Sequence, residues 1–85
     1  MITGAQIRAA RAALRLTSAD LAERAAVGIQ TVKRFEVTDG VPAGRTSTLA
    51  AIKSALERAG IEFVGSPEDC PGIRLKAITP IGAEK

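Results

Sequence analysis

The stretch SADLAERAAVGIQTVKRFEV, residues 18–37, decides the fold. Its apolar positions are Leu21, Ala25, Val27, Val32 and Phe35, with a small residue at Ala22. Ala26-Val27-Gly28 is a tight turn, and Gly28 suits the N-cap of whatever follows. Two short helices are therefore expected, at about 18–25 and 29–36. When two helices cross steeply through three residues, the first must show a small side chain where the second passes over it. Ala22 supplies that side chain, and Leu21, Val32 and Phe35 supply the floor beneath the turn. The second helix then stands proud of the body with its polar N-terminal face outward.

Working outward, Thr17 and Asp20 are three apart, a capping box that opens the helix at 18. Thr3 and Gln6 make a second box, opening a helix over about 4–14. Ile7, Ala10 and Leu14 give that helix one apolar face, with Arg8, Arg11 and Arg15 on or near the other side. On the C-terminal side, VTDGVPAGRT (37–46) is a loop. Leu49, Ile52, Leu56 and Ala59 then mark a fourth helix over 47–59, with Gly60 as its C′ residue. Beyond Gly60 the period changes to two. Ile61 and Phe63 alternate with Glu62 and Val64, and Ile73, Leu75 and Ala77 alternate with Arg74 and Lys76. The intervening SPEDCPG (66–72) predicts a hairpin with a wide loop. Pairing would bring Glu62 near Arg74 or Lys76 on one face and gather the apolar residues on the other. An isolated hairpin is barely stable in water, so this one must pack on the helices or on a second subunit. It reads as a docking or dimerisation element, followed by a frayed tail over 78–85.

The fold class is thus mainly α: four helices (1–60) followed by a short C-terminal β-hairpin (61–85). Eighty-five residues make one small domain that buries only roughly 60–65% of its unfolded surface, a size at which oligomerisation often helps. Phe35 and Phe63 are the only aromatic residues, so Ala, Leu, Ile and Val must build the core. The net charge is +3, and it is uneven. Residues 1–60 hold nine Arg/Lys against five Asp/Glu, whereas 61–85 hold three against four. The basic excess lies in the helical part, where a polyanion can be met; a solvated basic surface is the plainer reading.

Several classes are excluded. Cys70 is alone and there is no His, so neither a disulfide nor a metal site is expected. No apolar run reaches the roughly 18 residues of a membrane span, and no leader pattern opens the chain, so a cytoplasmic protein with no membrane partner is expected. With its one Cys in a Pro-flanked loop, no clustered carboxylates and no phosphate-binding glycine loop, the chain offers no nucleophile–base pair. It reads as a non-enzyme without a cofactor.

The segment TSADLAERAAVGIQTVKRFE (17–36) resembles the Xre/Cro-like, lambda-repressor-like helix-turn-helix regulators. It follows that family's frame of capped helix, LA, short turn and T-hydrophobic-x-x-hydrophobic-E. The later VPAGRTSTLAAIKSALERAGIEF (41–63) resembles the fourth helix and exit of many small members. The resemblance covers residues 1 to about 60. There are two departures. The family places Gly where this chain has Ala26, at a left-handed turn position where Ala costs roughly 1 kcal/mol more. It also favours Ser or Thr where Gly28 starts the recognition helix.

On this frame the N-terminal turns of helix 29–36 enter the major groove of double-stranded DNA, with Ile29, Gln30, Lys33 and Arg34 as base-contact candidates. Gln30 suits adenine N6 and N7, Arg34 suits guanine O6 and N7, and Ile29 suits a thymine methyl or a partly buried packing role. Ser18, Gly28, Thr31, Arg45 and Thr46 are the candidates for backbone contacts, although the loop before Arg45 reads equally well as a plain connector. Lys53 and Arg15 are weaker candidates for the same work. By position, the resemblance also pairs Arg11 with Glu36, to hold the recognition helix on the body; an exposed pair of little worth is the alternative. The resemblance implies a transcriptional regulator, a repressor by default, binding a pseudo-palindromic operator as a homodimer. The competing reading is an antitoxin-like or other protein-interaction module on the same fold.

Overall fold

The computed structural model describes residues 1–76; Ala77 and the tail over 78–85 lie outside the described residues. Four helices, α1 (Gly4–Leu14), α2 (Ser18–Ala25), α3 (Ile29–Glu36) and α4 (Thr46–Arg58), precede an antiparallel hairpin of β1 (Ile61–Ser66) and β2 (Asp69–Leu75). Among the described residues no helix is long and apolar enough to cross a membrane.

Both capping boxes form. Thr3 Oγ1 accepts from the Gln6 amide at 3.1 Å, and Gln6 Oε1 accepts from the Thr3 amide at 2.8 Å. At α2, Thr17 and Asp20 exchange the same two bonds, each 3.0 Å long. Each box satisfies two backbone donors that a helix start would otherwise leave to water. Both helices end on a left-handed residue, Arg15 at φ 59° and Ala26 at φ 58°. At the latter, the Ala26 and Val27 amides return to the Glu23 and Ala22 carbonyls and close the turn before Gly28.

The core is one cluster. Ile7 and Ala10 of α1, Leu21, Ala22 and Ala25 of α2, Val32 and Phe35 of α3, and Leu49, Ile52, Ala55 and Leu56 of α4 all meet in it. Ile2 joins from the N-terminus and Ile61 from β1, while Leu14, Val27, Phe63 and Ile73 pack partly buried at its rim. Each large side chain fully withdrawn from water contributes about 1.5–3 kcal/mol, so the rows on four elements hold the fold jointly.

The hairpin pairs Ile61 with Leu75, Glu62 with Arg74 and Phe63 with Ile73. Glu62 and Arg74 also approach as an ion pair at 3.5 Å. The wide loop expected over 66–72 does not form. Ser66 pairs with Asp69, which leaves Pro67 and Glu68 as the whole turn, and a bulge between Val64 and Ser66 absorbs the extra length. Gly65 (φ 75°) and Cys70 (φ 52°) take the left-handed conformations at this bulge. Pro71 is accommodated in β2, an edge strand in a sheet of two, where a missing N–H costs no ladder bond. Leu75, expected on the buried face, stays 48% exposed.

The hairpin packs on the helices of its own chain. Gln6, 4% exposed, turns its amide nitrogen to two strand carbonyls, Gly72 at 2.7 Å and Val64 at 3.3 Å. One side chain thus caps α1 with its oxygen and holds the hairpin with its nitrogen.

Candidate nucleic-acid interface

Helix α3 has two sides of opposite character. Val32, Phe35 and Glu36 are buried, while Gln30, Lys33 and Arg34 are exposed and Thr31 is half-buried. Gln30 and Arg34 are four apart and Gln30 and Lys33 three apart, so these polar side chains share one outward face. Ile29 opens the helix at 36% exposure, part in water and part against the body. Gly28 is the N-cap, without a side-chain bond to the first turn. The Thr31 amide returns to the Gly28 carbonyl at 3.1 Å, whereas the Ile29 and Gln30 amides stand open, with nothing larger than a hydrogen at the cap.

What keeps this face outward is the anchoring of the buried side. Arg11 Nε and Nη2 donate to Glu36 Oε2 and Oε1 at 2.8 and 2.9 Å. Arg11 Nη1 donates to the Leu16 carbonyl at 3.0 Å, so the same guanidinium also fixes the link into α2. The fork geometry matches a carboxylate in two parallel bonds. The Arg11 guanidinium is held above its ordinary pKa chiefly by the hydrogen bond to Glu36, against a smaller opposing effect of burial. Arg8, read as an ordinary surface cation of α1, also ties down this region. It donates to the Glu36 carbonyl and to Asp39 Oδ1, the latter at 2.6 Å. Its sequence signal was only a helical position one turn before Arg11.

The loop 37–45 returns to α4 through Gly44, at φ 148°. A Cβ at Gly44 would stand 3.0 Å from two ring atoms of Phe35, so the backbone lies directly against the ring. The Arg34 guanidinium carbon sits 5.4 Å from the centre of the same ring. Arg34 and the Gly44–Arg45 corner thereby meet over Phe35. Arg45 and Thr46 are exposed where α4 begins, with Arg45 as N-cap and Thr46 as the first helical residue. Ser18, half-buried, is the first residue of α2, where Thr17 and Asp20 already occupy the cap. Lys53 stands 3.9 Å from Glu57 on α4, and Arg15 is the exposed C-cap of α1.

Among the described residues, Lys33, Arg34 and Arg45 have no carboxylate within ion-pair distance. The acid of the loop, Asp39, is taken by Arg8. The exposed side of α3 and the start of α4 therefore carry uncompensated positive charge beside Gln30 and Thr31, which both donate and accept hydrogen bonds. No family model matches the chain, and no curated protein matches it by sequence.

Proposed function

We propose that the chain is a sequence-specific DNA-binding transcriptional regulator, a repressor by default, that lays α3 in the major groove. The observation carrying this reading is the helix, three-residue turn and helix from Ser18 to Glu36, with its second helix anchored on one side and bare on the other. Ile29, Gln30, Lys33 and Arg34 face the duplex, and Ser18, Gly28, Thr31, Arg45 and Thr46 flank it at backbone level. A single unit makes few base contacts, so two copies on half-sites about 34 Å apart supply useful specificity. Such a protein works in the cytoplasm, where bacterial-type operators lie. Occupancy alone blocks a polymerase, which is why repression needs no further surface.

The test is enrichment of bound duplexes from a randomised pool, followed by fluorescence anisotropy on the best sequence and on a scrambled one at two salt concentrations. A preference of about 10³-fold, weakened steeply by salt, is expected. A protein that enriches no sequence has turned this fold to a protein partner instead, and the proposal fails.

A further inference from the structure

Arg34 differs from its neighbours on the outward face of α3. Gln30 and Lys33 have no partner among the described side chains, whereas the Arg34 guanidinium lies over the Phe35 ring at 5.4 Å, on the side of Gly44. The ring itself is 1% exposed, covered in part by the Gly44 backbone and in part by Arg34. An arginine over an aromatic face is held by the negative charge density of the ring. Reading guanine demands something else: the guanidinium must reach the groove floor and lie edge-on in the plane of a base pair. To do so Arg34 has to leave the ring and uncover it.

Position along the helix points the same way. Four residues at about 1.5 Å each put the Arg34 backbone about 6 Å further from the α3 N-terminus than Gln30. Its guanidinium lies beside Gly44, where a Cβ would stand 3.8 Å from Arg34 Nη2, and Arg45 follows Gly44 directly. The Arg34 head thus lies at the Gly44 corner from which the exposed Arg45 also projects, and neither has a carboxylate in ion-pair distance among the described residues. Resting on the DNA-binding reading above, we propose that Arg34 and Arg45 together grip a backbone phosphate, so that Arg34 does not read a base. Sequence discrimination then falls to Ile29, Gln30 and Lys33. Phe35 acquires a second task besides filling the core: it is the platform that aims Arg34.

The test compares the unaltered protein with Arg34→Ala, Arg34→Lys and Gln30→Ala on the best enriched duplex and on a scrambled one, across a salt series. Both positions are exposed, so the variants keep the fold. Arg34→Ala should weaken both duplexes by the same factor and leave their ratio unchanged. It should also reduce the steepness of log affinity against log salt by about 0.9, the loss of one phosphate contact. Arg34→Lys should keep that steepness, because a point charge suffices for a phosphate. Gln30→Ala should cut the ratio by about tenfold with the salt dependence unaltered. If Arg34→Ala instead lowers the ratio as Gln30→Ala does, or leaves the salt dependence untouched, the assignment is overturned while DNA binding stands. If the unaltered protein prefers no duplex, the DNA-binding reading falls and the assignment falls with it.

Discussion

Arg11 closes on both carboxylate oxygens of Glu36, at 2.8 and 2.9 Å, and the carboxylate it holds belongs to a residue only 6% exposed. The pair spans 25 residues and joins the last turn of α1 to the last residue of α3. Removing the arginine leaves a charge in a place where water reaches poorly. Arg11→Met is expected to cost about 2–3 kcal/mol, a fall in Tm on the order of 10 °C, read by thermal or urea unfolding. Glu36→Gln should cost less, because the freed guanidinium is partly exposed and can turn to water. Equal losses in the two variants would show that the carboxylate is hydrated after all. The raised pKa of Arg11 sets no limit at working pH. A base held above its unfolded value keeps its full contribution below that value and loses it only as pH rises through the higher, folded one, far above neutral.

Ala26 takes φ 58° and ψ 44° with its side chain in water, so its methyl group strains the backbone and packs on nothing. Ala26→Gly should stabilise the fold by about 0.5–1 kcal/mol, the relief of strain less the greater freedom of glycine in the unfolded chain. Calorimetry should find a Tm higher by about 4 °C. A lower Tm would rule out a left-handed residue at this turn.

Gly4 is the opposite case. A methyl group there runs into the carbonyl oxygens of Thr38 and Phe35, because α1 begins against the end of α3 and donates its Gly4 amide to Gly40 at 2.9 Å. Alanine is the better helix former by about 1 kcal/mol, yet Gly4→Ala should destabilise by about 3 kcal/mol or more. A neutral or stabilising outcome in urea unfolding would mean the two backbones do not approach so closely.

Asp20 is held below its usual carboxylate value, first by the Thr17 amide and then by the Thr17 hydroxyl. A depressed acid contributes stability above its unfolded value and loses it as pH falls through the folded one. The start of α2 should therefore hold at neutral pH and fray only in acid, with the Thr17 amide resonance moving at a midpoint below 3.8. Asp20→Asn should abolish that titration. A midpoint at or above 3.8 would show that the box is open in solution.

Gln6 offers a probe of the hairpin by itself. Gln6→Leu keeps the bulk but leaves the Gly72 and Val64 carbonyls without their donor, and it removes half of the α1 cap. Amide exchange across β1 and β2 should accelerate by more than tenfold, while α2 and α3 exchange as before. Uniform acceleration would mean the hairpin opens only with the whole domain.

The starts of α1 and α2 were legible because each carries its own chemistry. Thr3 with Gln6 and Thr17 with Asp20 announce local bonds, and local bonds are what sequence spacing reports. The turn at 26–28 was legible from its own residues, and the resemblance added that Ala26 is left-handed. The hairpin loop was misread because Pro67 and Pro71 both look like breakers. Pro67 fits a two-residue turn and Pro71 an edge strand, and only the partner strand reveals either. Gln6 was hidden by sufficiency: the capping box accounted for it, so nothing in the sequence asked for a second partner. Gly4 and Arg8 are informative only once α3 is in place. At the interface the outward set on α3 was legible from periodicity, whereas the direction in which Arg34 leans depends on the return of a loop ten residues later.

The bond from Gln6 to Gly72 crosses 66 positions of sequence, so it ties a side chain to an acceptor made 66 residues after it. At a synthesis rate of about 5–20 residues per second, Gln6 waits roughly 3–13 s for its acceptors to be made. During that interval the four helices can assemble from contacts already in hand, while the Gln6 amide and the rim around Ile61 stay wet. Among the described residues, closure by the hairpin is the most non-local event, and so the slow, final one. A nascent chain halted before β2 therefore exposes the seam that the finished protein seals, and it is this intermediate that chaperones and proteases would meet first.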